Sequence, residues 1–97
     1  MREINVSEIE NTVRDLCIKA NIYLPKSLEE RIDCCACMEE SPAGKAVFED
    51  LKSNIQAAKD ENIPVCQDTG MAVIFMEVGQ DVHFIGGSLE EAVNKGV

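Results

Sequence analysis

The chain has 97 residues, with 9 Lys and Arg against 18 Asp and Glu and a formal charge of −9. That length holds one domain or part of one, and a chain of this size buries only roughly 60–65% of the surface it exposes when unfolded. A hydrophobic share of 45% is too high for a disordered acidic tail, while the surplus of carboxylates repels phosphate backbones and anionic lipid headgroups, which argues against nucleic-acid and membrane-surface partners.

In chain order, Val6, Ile9, Val13, Leu16, Cys17 and Ala20 recur at helical spacing behind a Ser7/Glu10 capping box, and predict a helix over about residues 8–20. Asn21 and Pro25 stop it, because proline cannot donate to the helical ladder and pushes its predecessor out of the α region. Ser27 with Glu30 opens a second, shorter helix with Leu28, Ile32, Cys35 and Met38 on one face. Ser41-Pro42 places an N-cap before a proline in the first turn, and Val47, Phe48, Leu51, Ile55 and Ala58 form the apolar stripe of a third helix.

From Asn62 the pattern changes. Ile63-Pro64-Val65 is extended, residues 66–70 form a polar loop, and Met71 to Met76 is a continuous apolar run of the kind found in strands buried between layers. Gly79-Gln80-Asp81 turns the chain into a second strand, Val82 to Ile85, so the pair reads as a β-hairpin. After Gly86-Gly87, Ser88 and Glu91 cap a last helix carrying Leu89, Ala92 and Val93, which completes hardly two turns by Val97. The expected class is α+β: N-terminal helices, a hairpin-like pair of strands and a truncated helix. Two strands and an unfinished helix offer little cover for an apolar strand, so the expectation is an incomplete portion of a larger domain.

No stretch reaches the roughly 20 apolar residues of a membrane-crossing helix, and MREINVSEIE has charges where a secretory signal would be apolar. The expected location is cytoplasmic. Five cysteines, Cys17, Cys34, Cys35, Cys37 and Cys66, are an odd number, and without an export signal they read as reduced thiols or metal ligands.

Residues 66–70 put a thiol, an amide, a carboxylate and a hydroxyl side by side ahead of a glycine. A thiolate can bind a soft metal, an amide can donate to a substrate oxygen, and Asp68 can accept or deliver a proton. Gly70 would allow a tight turn or a close ligand approach. The same five residues also fit a polar turn with a small buried cysteine. Cys34 and Cys37 form a CxxC that invites a zinc or redox reading, with Cys17 and His83 the obvious further ligands. A redox pair, however, should follow a strand and open a helix, and this one lies inside a helical pattern, where Cys35 reads as packing. His83 alternates with Val82 and Phe84 and is expected to face away from them as a structural histidine. A small acidic interaction module, with helices docking on a partner and thiols that do no chemistry, remains a reading of a different kind.

The string PVCQDTGMAVIFMEVGQDV, followed by Gly86-Gly87 and LEEAVNKGV, closely resembles the N-terminal part of the class I, iron–sulfur-dependent fumarate hydratases and tartrate dehydratases, in their cluster-bearing alpha portion. The likeness is good over 62–97 and looser over 1–61, the helical lead-in. It implies a hydro-lyase that moves water across the double bond of a small dicarboxylate with a [4Fe–4S] cluster held by three cysteines, its fourth iron open to substrate. Cys66 matches the first ligand. Gln67 and Asp68 match residues facing the substrate, which implies hydrogen bonding for Gln67 and substrate orientation or proton relay for Asp68. The other two cysteines and the cationic groups that hold the dicarboxylate would lie beyond residue 97. The resemblance therefore implies an oligomer completed by the rest of an alpha portion and a beta subunit, with fumarate/malate favoured over tartrate, and it implies that residues 1–97 alone are inactive.

Overall fold

The computed structural model of the protein describes residues 1–67 and 70–97. Its elements are β1 (Arg2–Asn5), α1 (Val6–Ile22), α2 (Lys26–Met38), α3 (Pro42–Glu61), β2 (Val82–Ile85) and α4 (Leu89–Gly96). The class is α+β. Two compact units divide the described residues, 1–19 with 70–97 and 20–67.

In the first unit, β1 and β2 form a two-stranded parallel sheet in which Ile4 pairs with Phe84 and Glu3 with His83. Val82, Phe84 and Ile4 are half-buried while His83 and Glu3 are exposed, the alternation that a strand with one covered face requires. The predicted hairpin is therefore corrected. A turn does form, with the Val82 N–H donating to the Gly79 carbonyl at 3.2 Å, but residues 70–79 adopt no strand and do not run back along β2. The partner is the N-terminal segment Arg2–Asn5, and the Arg2 N–H extends the ladder to the Asp81 carbonyl at 2.7 Å. Parallel strands need a long crossover, which is why two segments about 80 positions apart can pair with no local signature.

The core of this unit is small and aliphatic: Val6, Val13 and Ala92 are buried. Gly96 is buried with them, and a Cβ added there would stand 2.6 Å from the Glu10 carbonyl oxygen and 2.8 Å from the Val13 Cβ. The missing side chain is what lets α4 lie against the backbone of α1. Helix starts divide into expected and unexpected. Ser88 caps α4, accepting from the Glu91 N–H at 3.4 Å, as its position predicts. The start of α1 is instead served by Asn5, whose side-chain oxygen accepts from the Ser7 N–H at 2.9 Å, so Ser7 lies inside the helix rather than ahead of it.

The apolar run 71–76 is also corrected. It is exposed throughout, up to 93% at Phe75. Part of it borders a groove of about 530 Å³ lined by Ile4, Ile9, Leu16, Ile74, Met76 and Phe84. An apolar strand is buried only when a layer is available on each side of it, and within this unit a two-stranded sheet and two helices supply too little surface.

In the second unit, α2 and α3 form a helical hairpin. Lys59 pairs with Glu29, both side chains roughly 30% exposed, and Lys52 lies 3.6 Å from Asp33. Of the stripe on α3 only Ala58 is buried, with Phe48 and Ile55 half-buried. Ser41 caps α3 as predicted, accepting from the Gly44 N–H at 3.3 Å, with Pro42 in the first turn. Here too one start differs: α2 begins at Lys26 behind Pro25, whose carbonyl accepts from the N–H groups of Leu28 and Glu29. No side chain caps this start, and Ser27 lies inside the helix rather than ahead of it.

Candidate functional site

The cysteine-bearing loop grows out of the end of α3. Asn62 stops that helix with φ at +56°, in the left-handed region that asparagine tolerates better than most side chains. Its N–H and that of Ile63 both bond to the Ala58 carbonyl, the latter at 3.1 Å, which reverses the chain tightly at a buried residue. Pro64 then fixes an extended step.

Val65 is held from two directions. Its N–H donates to the carbonyl of Asn21 in the last turn of α1 at 2.8 Å. Its own carbonyl accepts from the Asn54 side-chain amide of α3 at 2.6 Å. A loop residue with both backbone groups bonded to helices has lost most of its conformational freedom before any ligand arrives. Cys66 follows directly, a free and exposed thiol, and the exposed Gln67 comes next. Asp68, the third residue expected at this site, lies outside the described residues. At Gly70 an added Cβ would meet nothing within 4 Å among the described residues.

The other cysteines occupy helices. Cys34, Cys35 and Cys37 are on α2, the first and third exposed and Cys35 half-buried, and Cys17 on α1 is half-buried. Among the described residues no group of three His, Cys, Asp or Glu side chains is placed to hold a metal ion. The CxxC on α2 is an exposed pair of helical thiols. His83 is exposed on the outer face of the sheet, beside Glu3 in register and facing away from the half-buried Val82 and Phe84, as its alternation predicts. None of the described helices is long and apolar enough to cross a membrane.

Comparison with known proteins decides the family. A family model described as fumarate hydratase (Fumerase) matches residues 10–97. The chain belongs to the fumarate hydratase family. The resemblance carried by the CQDTG segment therefore extends through the helical lead-in, and the chain is a member of a hydro-lyase family. A Methanocaldococcus jannaschii protein named "Putative L(+)-tartrate dehydratase subunit alpha" is 28% identical over 76 residues, covering 78% of this chain and 27% of that protein. The L(+)-tartrate dehydratase alpha subunits of Escherichia coli K12 and Shigella sonnei are each 27% identical over 81 residues, covering 84% of this chain and 27% of theirs. The stretch shared with these relatives is thus little more than a quarter of their length. No solved structure matches the chain.

Asn54 and the Asn21 carbonyl are the site residues that sequence reading misses. A backbone carbonyl carries no side-chain signal at all. The one hint at Asn54 is a poor helix former in the interior of a helix, where asparagine usually competes with the backbone for hydrogen bonds.

Proposed function

We propose that residues 1–97 are the N-terminal segment of the cluster-bearing alpha domain of a [4Fe–4S]-dependent hydro-lyase, with 1–61 as helical lead-in and 62–97 carrying the first ligand and its supports. The observation that carries this reading is Cys66: a free, exposed thiol, in the segment that matches the family, directly after a residue anchored to two helices.

The donor set fits one corner of such a cluster. Among the described residues no group of three candidate ligands forms, and one thiol cannot hold four irons, so the remaining two cysteines come from the part of the family's length that this chain does not span. When bound, the cluster supplies a Lewis acid that polarises hydroxyl and carboxylate oxygens of a small dicarboxylate. Cys66 contributes one thiolate ligand. Gln67 offers an amide donor and acceptor to a substrate oxygen, and Asp68 orients substrate or relays a proton as the candidate catalytic carboxylate. The assembly is an oligomer with a beta subunit and works in the cytoplasm.

Reversible hydration of fumarate to malate is the reaction we assign. Dehydration of tartrate is the second reading, and the names of the relatives, all tartrate dehydratase alpha subunits, favour it. The test is anaerobic purification of the assembled enzyme with and without Cys66→Ser, following cluster absorbance together with turnover of fumarate and of L-tartrate. Joint loss of colour and turnover supports the ligand role, the faster substrate decides between the two readings, and a coloured, active variant removes Cys66 from the mechanism. Anaerobic reconstitution of residues 1–97 alone should give no turnover.

A further inference from the structure

We infer that Asn54 is a positioning residue for the Cys66 thiolate, acting through the Val65 backbone; this rests on the reading of Cys66 as a cluster ligand. Val65 is the residue immediately before Cys66, and its peptide planes set where the Cys66 Cα can be. One plane is fixed by the N–H bond to the Asn21 carbonyl at 2.8 Å, the other by the Asn54 amide at 2.6 Å on the Val65 carbonyl. That second carbonyl belongs to the peptide unit whose nitrogen is Cys66's own, so the Asn54 bond controls the rotation that aims the thiol.

The two anchors come from different helices, and the chain between α3 and Cys66 is already constrained by the left-handed Asn62 and by Pro64. Losing the Asn54 bond frees only the peptide that carries Cys66. A ligand held ready before the metal arrives loses less freedom on binding, and partners that orient metal ligands typically matter by about 10–100-fold in metal affinity or activity. Asn54 itself is exposed on α3, so its replacement removes the bond without opening a cavity. Alanine is moreover a better helix former than asparagine, so α3 persists.

The experiment uses the anaerobically purified enzyme assembled around this chain, in parent, Asn54→Ala, Asn54→Asp and Asn54→Gln forms, with Cys66→Ser alongside. Hydrogen exchange at the amides of Val65 to Gln67 and the rate of cluster loss to an iron chelator are both measured. Asn54→Ala and Asn54→Asp, which lack the donor, should speed cluster loss by about tenfold or more and raise exchange at these amides, with exchange across α4 unchanged. Asn54→Gln keeps an amide donor and should recover part of both effects. Parent-like cluster retention in the alanine and aspartate variants, in a protein whose Cys66→Ser form has lost its cluster, overturns the positioning role and leaves the ligand reading standing. A Cys66→Ser form that keeps its cluster overturns both.

Discussion

The stretches on either side of Asp68 are held very differently. Residues 62–67, a short loop of mixed composition with one proline, are tied to two helices through Ala58, Asn21 and Asn54. Residues 71–76, the longest apolar run in the chain, lie exposed and outside any strand. Hydrophobicity orders a segment only where surface is available to cover it, whereas a few directed hydrogen bonds can order a short loop from elements already in place. The thiol is on the ordered side of this divide, as a metal ligand needs to be.

Four substitutions probe these stretches and the units that carry them, in order of decreasing effect. Cys66→Ser in the assembled enzyme should cut turnover by more than about 100-fold, since losing a ligand exceeds the usual effect of losing a ligand's partner; a kinetic assay under anaerobic conditions reads it. Gly96→Ala should cost about 1–3 kcal/mol, because a methyl group there collides with the Glu10 carbonyl oxygen and Val13 rather than with a side chain that can move. Urea unfolding checks it against Asn94→Ala at an exposed position of the same helix.

Lys59→Ala should lower stability by up to about 1 kcal/mol, with the loss shrinking as salt is added, because the pair with Glu29 is only partly shielded from water. Denaturation at low and high ionic strength tests this, and a salt-independent loss would mean that packing of the lysine stem dominates. Phe75→Ser should change stability by less than about 0.5 kcal/mol in residues 1–97, because a ring 93% exposed has almost no contacts to lose. A cost of several times that in the assembled enzyme, set against none in the isolated chain, would show that further protein covers the apolar run.

The helices were legible because their signals are local. Apolar spacing marked all four, and Ser41-Pro42 and Ser88 capped where their chemistry predicts. The starts at Asn5 and Pro25 were not, because Ser7 and Ser27 mimic caps from one residue inside their helices. β1 was invisible for a different reason: Arg-Glu-Ile-Asn has one apolar residue and a partner some 80 positions away, and long-range pairing leaves no trace in a four-residue window. With no local signal at β1, the sequence offers β2 only its neighbour as a partner, and the expected buried hairpin follows from that. At the site, Cys66 and Gln67 were legible from their string of neighbours. What holds them was not, since one anchor is a main-chain carbonyl and the other an asparagine that reads as an ordinary surface residue of α3.

The most direct test is a crystal structure of the assembled enzyme, loaded and kept anaerobic, read at a single atom. The account predicts the Cys66 Sγ bonded to an iron of the cluster, with the Val65 carbonyl still accepting from Asn54. A fully loaded cluster ligated by other residues, with the Cys66 thiol turned away from it, would contradict it.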